Sequence, residues 1–200
     1  HNDTCYPALL VIGQFIEALK SGRYDTHKVA LMMFQTGGGC RASNYLFLIK
    51  KALQKNGFDY VPVISLNFSG LKNEGDGWEL TLPMIRCGIA AVSYGDLLML
   101  LSNQTRPYEK NKGESDRLVE KWSEFLTESF KSGKYLSGRS VKSCMDKIAA
   151  EFEAIPRDII PRIRVGIVGE IYVKYSPLGN NGLESFLASL GCEVMVPGLL

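Results

Sequence analysis

The chain has little of what most metal and redox motifs are made from. It holds two histidines, His1 and His27, too few for a histidine-rich metal site. Its five cysteines, Cys5, Cys40, Cys87, Cys144 and Cys192, include no CxxC pair, which excludes a zinc knuckle and a thioredoxin-type motif. An odd number at wide spacing is not a disulfide framework either, and it reads as the reduced thiols of a cytoplasmic protein. No uninterrupted apolar run approaches the roughly 20 residues of a membrane-spanning helix, and the start carries no signal-peptide pattern. The formal net charge is only +2, with lysines and arginines spread among acidic residues. That is the pattern of a solvated surface, so no nucleic-acid or membrane partner is expected.

What is present is an ordinary globular composition, 46% apolar and 22% charged over 200 residues. That length supports one sizeable core and part of another. The chain is organised around VALMMFQTGGGCRASNY, residues 29–45. Residues 29–34 read as a buried strand, three glycines follow, and residues 42–56 read as a helix with an apolar stripe of Leu46, Ile49 and Leu53. In α/β proteins, a strand that passes through a glycine turn into a helix sets a ligand at the carboxyl edge of the sheet.

Upstream, Leu9, Ile12, Ile16 and Leu19 predict a helix over 8–19, with Pro7 in its first turn and Gly22 beyond its end. Cys5 stands just ahead of that helix, where thiolate charge is favoured. Downstream, a second strand is expected over 60–66, a polar loop over 67–77, and a mostly buried helix over 82–101 broken by the Asn103–Glu109 stretch. Helices are expected over 115–131 and 141–152, then a proline-bearing linker over 155–161. A strand over 164–173, a loop over 174–181, a helix over 182–190 and a strand from 191 complete the reading. It divides the chain into a domain over 1–155 with a helical insertion, and a second α/β unit or returning strands over 156–200. A strand–helix–strand unit cannot complete a sheet alone, so the chain reads as a fragment of something longer.

Several stretches invite a chemical reading. Gly37, Gly38 and Gly39 lack the lysine of a P-loop and the GxGxxG spacing of a dinucleotide site. They serve either as a tight turn at positive φ or as a place where backbone approaches a bound group. Cys40, beside Arg41 at a helix start, is either a small buried hydrophobe or a ligand, and Cys5 has the same local setting. Two such thiolates on one sheet edge suit an iron–sulfur cluster. Cys87, Cys144 and Cys192 read as packing residues. Arg106 is either part of a local ion pair or close to a charged ligand. Glu170 needs a partner, with Lys174 and Arg164 the candidates. The loop with Asn180 and Asn181 is a binding loop or a capped turn.

NDTCYPALLVIGQF, MMFQTGGGCRASNY, SYGDLLM, NQTRPYE and VGIVGEIYVKYSPLGNN together resemble the 2-hydroxyglutaryl-CoA dehydratase-related family. More narrowly, the chain is similar to dehydratase-like domains of the long activator-of-2-hydroxyacyl-CoA-dehydratase proteins. The resemblance implies a Rossmann-like or flavodoxin-like parallel sheet with flanking helices. It implies a 4Fe-4S cluster held by three cysteines, expected in the full-length protein rather than in this fragment. By that resemblance Cys5 and Cys40 are metal ligands, Gly37, Gly38 and Gly39 offer backbone N–H groups to the cluster, and Arg41 offsets its charge. A third cysteine is not evident, and Cys87 is the only alternative within the chain. The implied role is an iron–sulfur redox component supporting ATP-driven one-electron reduction, with a lyase activity only as part of a larger protein. Its partners would be an ATP-dependent activator domain or a dehydratase subunit, and an acyl-CoA. The alternatives are a non-catalytic interaction or electron-relay domain, and a plain CoA- or nucleotide-binding α/β domain.

Overall fold

The computed structural model describes residues 5–35, 44–67 and 81–200. The chain divides into two compact units, His1–Leu80 and Thr81–Leu200. The division thus falls at 80/81, whereas the sequence reading set it at 155/156. Helices and parallel strands are mixed in both units, an α/β arrangement with two small parallel sheets.

The first unit is built on helix α1 (Tyr6–Lys20), strand β1 (Leu31–Gln35), helix α2 (Tyr45–Lys55) and strand β2 (Val63–Asn67). Pro7 falls in the first turn of α1, where its missing N–H costs nothing. After α2, Gly57 takes φ +76, which ends the helix and turns the chain toward β2. β1 and β2 pair in parallel, Leu31 opposite Val63 through Gln35 opposite Asn67. Pro62 sits just before β2, and its carbonyl accepts from the Leu31 N–H at 2.9 Å, so the proline costs the ladder no donor. Ala8 and Leu19 of α1, Leu31 of β1, Tyr45, Ile49 and Leu53 of α2, and Val61 and Val63 form the core.

The second unit begins with α3 (Leu82–Thr105), continued by a 3-10 turn over Arg106–Tyr108, then α4 (Glu114–Lys131) and α5 (Gly138–Glu153). Helix α3 therefore runs beyond the expected end at Leu101 and stops at Thr105, inside the Asn103–Glu109 break expected from sequence. The reason is local. Asn103 and Thr105 are buried, and the Arg106 side chain binds back onto Ser102 and Asn103. Ala90, Tyr94 and Leu98 of α3 pack with Trp122 and Leu126 of α4 and with Cys144, Ile148 and Phe152 of α5. Ile148 is fully buried and Phe152 is 1% exposed. Within the span Leu82–Tyr108 an 18-residue window has mean hydropathy 1.5, so by length and composition the helix is long and apolar enough to cross a membrane.

The α4–α5 connection is tightly specified. The N–H groups of Gly133 and Lys134 donate to Phe130 O and Ser129 O at 2.9 Å, and Gly133 takes φ +67, a Schellman closure. Ser137 then caps α5 in a reciprocal box with Ser140. Between them Tyr135 takes φ +58, unusual for a residue with a bulky side chain.

The same unit closes with β3 (Arg164–Gly166), α6 (Ile171–Tyr175), α7 (Pro177–Asn180), α8 (Leu183–Ser189) and β4 (Glu193–Met195). β3 and β4 pair in parallel, and Met99 of α3 packs against Ile167, Val194 and Val196. The strand expected over 164–173 is corrected here: only Arg164–Gly166 is strand, and Ile171–Tyr175 is helix. The apolar alternation of RVGIVGEIYV favours a strand, but the Glu170 carboxylate caps the following turn by accepting from Val173 N at 3.1 Å. At the other end, Asn180 Nδ2 donates to the carbonyls of Val173 and Lys174, so the helix meets its hydrogen bonds at both termini.

Candidate functional site

In the first unit the helix starts, rather than the strand faces, gather the chemistry. Cys5 is the N-cap residue of α1, with φ −58 and ψ 128, and no side-chain cap bond is made there. Its thiol, half-buried against the unit's core, lies 3.4 Å from the Tyr45 hydroxyl. Tyr45 is the first residue of α2 and is itself 7% exposed. The contact joins the N-cap residue of α1 to the side chain of the first residue of α2. That end of α2 is also the one that follows β1, so Cys5 stands on the carboxyl side of the parallel pair, where α/β proteins hold ligands.

The other residues assigned to this site from sequence, Gly37, Gly38, Gly39, Cys40 and Arg41, lie outside the described residues. Tyr45 was not anticipated. The available signal was its position at the opening of a helix five residues beyond Cys40. Among the described residues no group of three His, Cys, Asp or Glu side chains is arranged to hold a metal ion. Tested against a three-cysteine cluster, the described thiols supply one member in a suitable setting. Cys144 is 1% exposed in the helical core, with burial pushing its thiol pKa up. Cys192 is buried at 8% exposure, and Cys87 is half-buried on α3 of the other unit. The expectation that Cys144 and Cys192 are packing residues agrees with their burial.

The charged and amide residues singled out in the second unit turn out to be structural. Arg106 donates through Nε and Nη2 to Asp116 Oδ1 at 3.2 and 2.7 Å, and through Nη1 and Nη2 to Asn103 Oδ1 and Ser102 Oγ. The guanidinium is thus held by its own helix and by α4. Glu109 accepts from the N–H groups of Gly113 and Ser115 at 2.8 and 2.5 Å, which caps α4. Neither Lys174 nor Arg164 partners Glu170, contrary to expectation. Lys174 lies 4.5 Å from the Tyr175 ring centroid, and Arg164 pairs with Glu193 at 3.2 Å. Asn180 Oδ1 accepts from Leu183 N while its amide closes α6, so this loop is a capped turn.

Two phenols carry perturbed titrations. Tyr108 donates to Glu193 Oε2 at 2.5 Å, and that bond, with burial and the carboxylate charge adding to it, raises the phenol pKa. Arg164 on the same carboxylate offsets part of this rise. No local pattern signals this Tyr108–Glu193–Arg164 cluster, since its members are 29 or more residues apart. Tyr94, 1% exposed, donates to the carbonyl of Tyr135 at 3.2 Å, and burial followed by the nearby Cys144 thiol pushes its pKa far up. Compared with known proteins, the chain matches no family model, and neither a curated protein nor a solved structure matches it.

Proposed function

We propose that the first unit is one part of a thiolate-ligated iron–sulfur site in a Rossmann-like domain. On this reading the chain acts as a redox component of a 2-hydroxyacyl-CoA dehydratase and activator system. The observation that carries the reading is the 3.4 Å approach of Cys5 Sγ to the Tyr45 hydroxyl. It fixes one thiol at the opening of the helix that follows the GGGC stretch, on the carboxyl side of a parallel strand pair. Two helix N-termini there favour negative charge, which thiolates and a reduced cluster both carry. Tyr45 offers a donor to the sulfur, the kind of outer contact that orients a ligand and tunes its electron density. When bound, the cluster supplies one-electron transfer. The chain supplies thiolates, backbone donors and partial exclusion of water.

The test is anaerobic reconstitution of the full-length protein with ferrous iron and sulfide. The readouts are iron and sulfide per chain and the visible charge-transfer absorbance, for wild type, Cys5→Ser, Cys40→Ser and Cys144→Ser. The account expects iron uptake in wild type and Cys144→Ser, and its loss in the other two. Equal iron content in all four removes the assignment.

A second reading, an interaction domain without redox work, is favoured by the apolar surface of the second unit. Ile159, Ile163 and Val168 are 76%, 73% and 82% exposed beside a two-stranded parallel sheet. Sheets of this type are ordinarily covered on both faces. Under that reading Cys5→Ser leaves partner association unchanged.

A further inference from the structure

A separate cavity lies wholly within the second unit, between the start of α3 and the α4–α5 connection. Its volume is about 550 Å³, and Leu82, Pro83, Arg86, Lys134, Tyr135 and Ser137 are among the residues that line it. That is the size class of small-molecule sites. Two exposed cations, Arg86 and Lys134, line it, and among the described residues no Asp or Glu does. Neither cation takes part in the ion pairs formed among the described residues, although the second unit makes five such pairs elsewhere. Like charges lining one cavity repel, and an anion between them relieves that cost.

The walls add direction to this charge. Ser137 and Ser140 bring hydroxyls, and α3 and α5 both begin here, so their positive ends reinforce the field of the two side chains. Leu82, Pro83, Leu136 and the Tyr135 ring supply an apolar side. The loop is pre-set rather than adaptable. The Tyr135 carbonyl is held by Tyr94, its ring lies 5.5 Å from that of Phe125, and both flanking helix ends are closed by specific hydrogen bonds. A site built before the ligand arrives saves ordering entropy on binding.

We infer that this cavity binds a soluble phosphate monoester with a small apolar body, the phosphate lying between Arg86 and Lys134 and the body against Leu82, Pro83 and Tyr135. A planar guanidinium forks onto phosphate oxygens while a lysine acts as a point charge, so the pair suits phosphate better than a single carboxylate. The inference does not depend on the iron–sulfur reading, since it uses no cysteine and lies in the other unit.

Isothermal titration of the full chain with phenyl phosphate, inorganic phosphate and benzoate tests it. Phenyl phosphate binds one per chain, more tightly than either comparator. Raising the salt weakens it. Arg86→Gln and Lys134→Gln each lower its affinity about tenfold, the loss of a charge-assisted hydrogen bond. Lys142→Gln, which lies on α5 outside the cavity, leaves it unchanged. Thermal unfolding of each variant at the wild-type temperature shows that the fold is kept. The proposal is overturned by any of three results: no saturable binding up to about 10 mM, affinity for phenyl phosphate unaltered in both glutamine variants, or benzoate bound as tightly. Retention by phosphatidic-acid vesicles without binding of soluble phenyl phosphate also overturns it, since the phosphate source is then a lipid headgroup.

Discussion

Removing one hydroxyl from the centre of the second unit separates packing from hydrogen bonding there. Tyr94 is 1% exposed, its ring packs in the three-helix core, and its hydroxyl donates to the Tyr135 carbonyl at 3.2 Å. Tyr94→Phe keeps the ring, so little cavity opens and the packing contribution is largely unchanged. What is lost is one part-buried hydrogen bond. A bond of this kind contributes about 1 kcal/mol. At 3.2 Å it is long for an O–H···O bond, so the lower half of the usual range applies. In a unit of this size that amounts to a fall of about 4 °C in Tm. Urea unfolding followed by far-ultraviolet circular dichroism measures it, with the slope on denaturant unchanged. A change below about 0.3 kcal/mol means the bond contributes nothing net. A loss above about 3 kcal/mol means the ring has repacked, as in a large-to-small core change. Either result refutes the reasoning. Alkaline stability provides a second check with a definite sign. Burial raises the pKa of both Tyr94 and Cys144 above their ordinary values of 10.0 and 9.0. The folded chain therefore holds protons that the unfolded chain releases. The associated stability is whole below pH 9 and is lost as pH rises, first through the Cys144 window and then through that of Tyr94. Tyr94→Phe removes the second part of that decline and, with the hydroxyl that lowers the Cys144 pKa gone, moves the first part to higher pH.

Other outcomes follow from single contacts. Glu109→Ala removes two charge-assisted bonds to the N–H groups of Gly113 and Ser115, and costs about 2 kcal/mol in urea unfolding. Glu109→Gln recovers part of that. Gly198→Ala sets a Cβ 2.8 Å from Asp96 Oδ2, the oxygen that accepts from Leu199 N and Leu200 N, and costs about 1–3 kcal/mol as the segment shifts off α3. Limited proteolysis of the C-terminal residues then quickens, and unaltered cleavage contradicts this. Cys144 resists thiol reagents in the native chain at neutral pH and reacts once the unit is unfolded, read by mass spectrometry.

Much of the first unit was legible in its residues. The periodicity of Leu9, Ile12, Ile16 and Leu19, with Pro7 ahead and Gly22 behind, placed α1 to within two residues at its start and one at its end. The apolar run before the glycines and the apolar stretch over 60–66 placed β1 and β2 within three residues of their observed bounds. The second unit resisted at the points where side chains distant in sequence decide. Nothing in the RVGIVGEIYV run shows that Asn180 will close a helix ending at Tyr175, so from sequence the run reads as a long strand. Arg106 was legible as a charge at a helix end, but its consumption by Asp116 and Ser102 depends on how α4 returns against α3. The perturbed phenols of Tyr94 and Tyr108 likewise arise from partners 41 and 85 residues away. For the candidate site, the sequence placed Cys5 at a helix start, and the fold added Tyr45 as its neighbour.

The most direct test of the central proposal is whether the Cys5 and Cys40 sulfurs share one site in the folded chain. Mild anaerobic oxidation of the native protein, followed by proteolysis and mass spectrometry, reports which thiols lie close enough to join. The proposal predicts a Cys5–Cys40 linked peptide in the folded chain, in yield well above that from the urea-unfolded chain. It predicts protection from that linkage when iron and sulfide are added first. A native chain that forms no Cys5–Cys40 link, or links Cys5 to its other cysteines equally well, contradicts it.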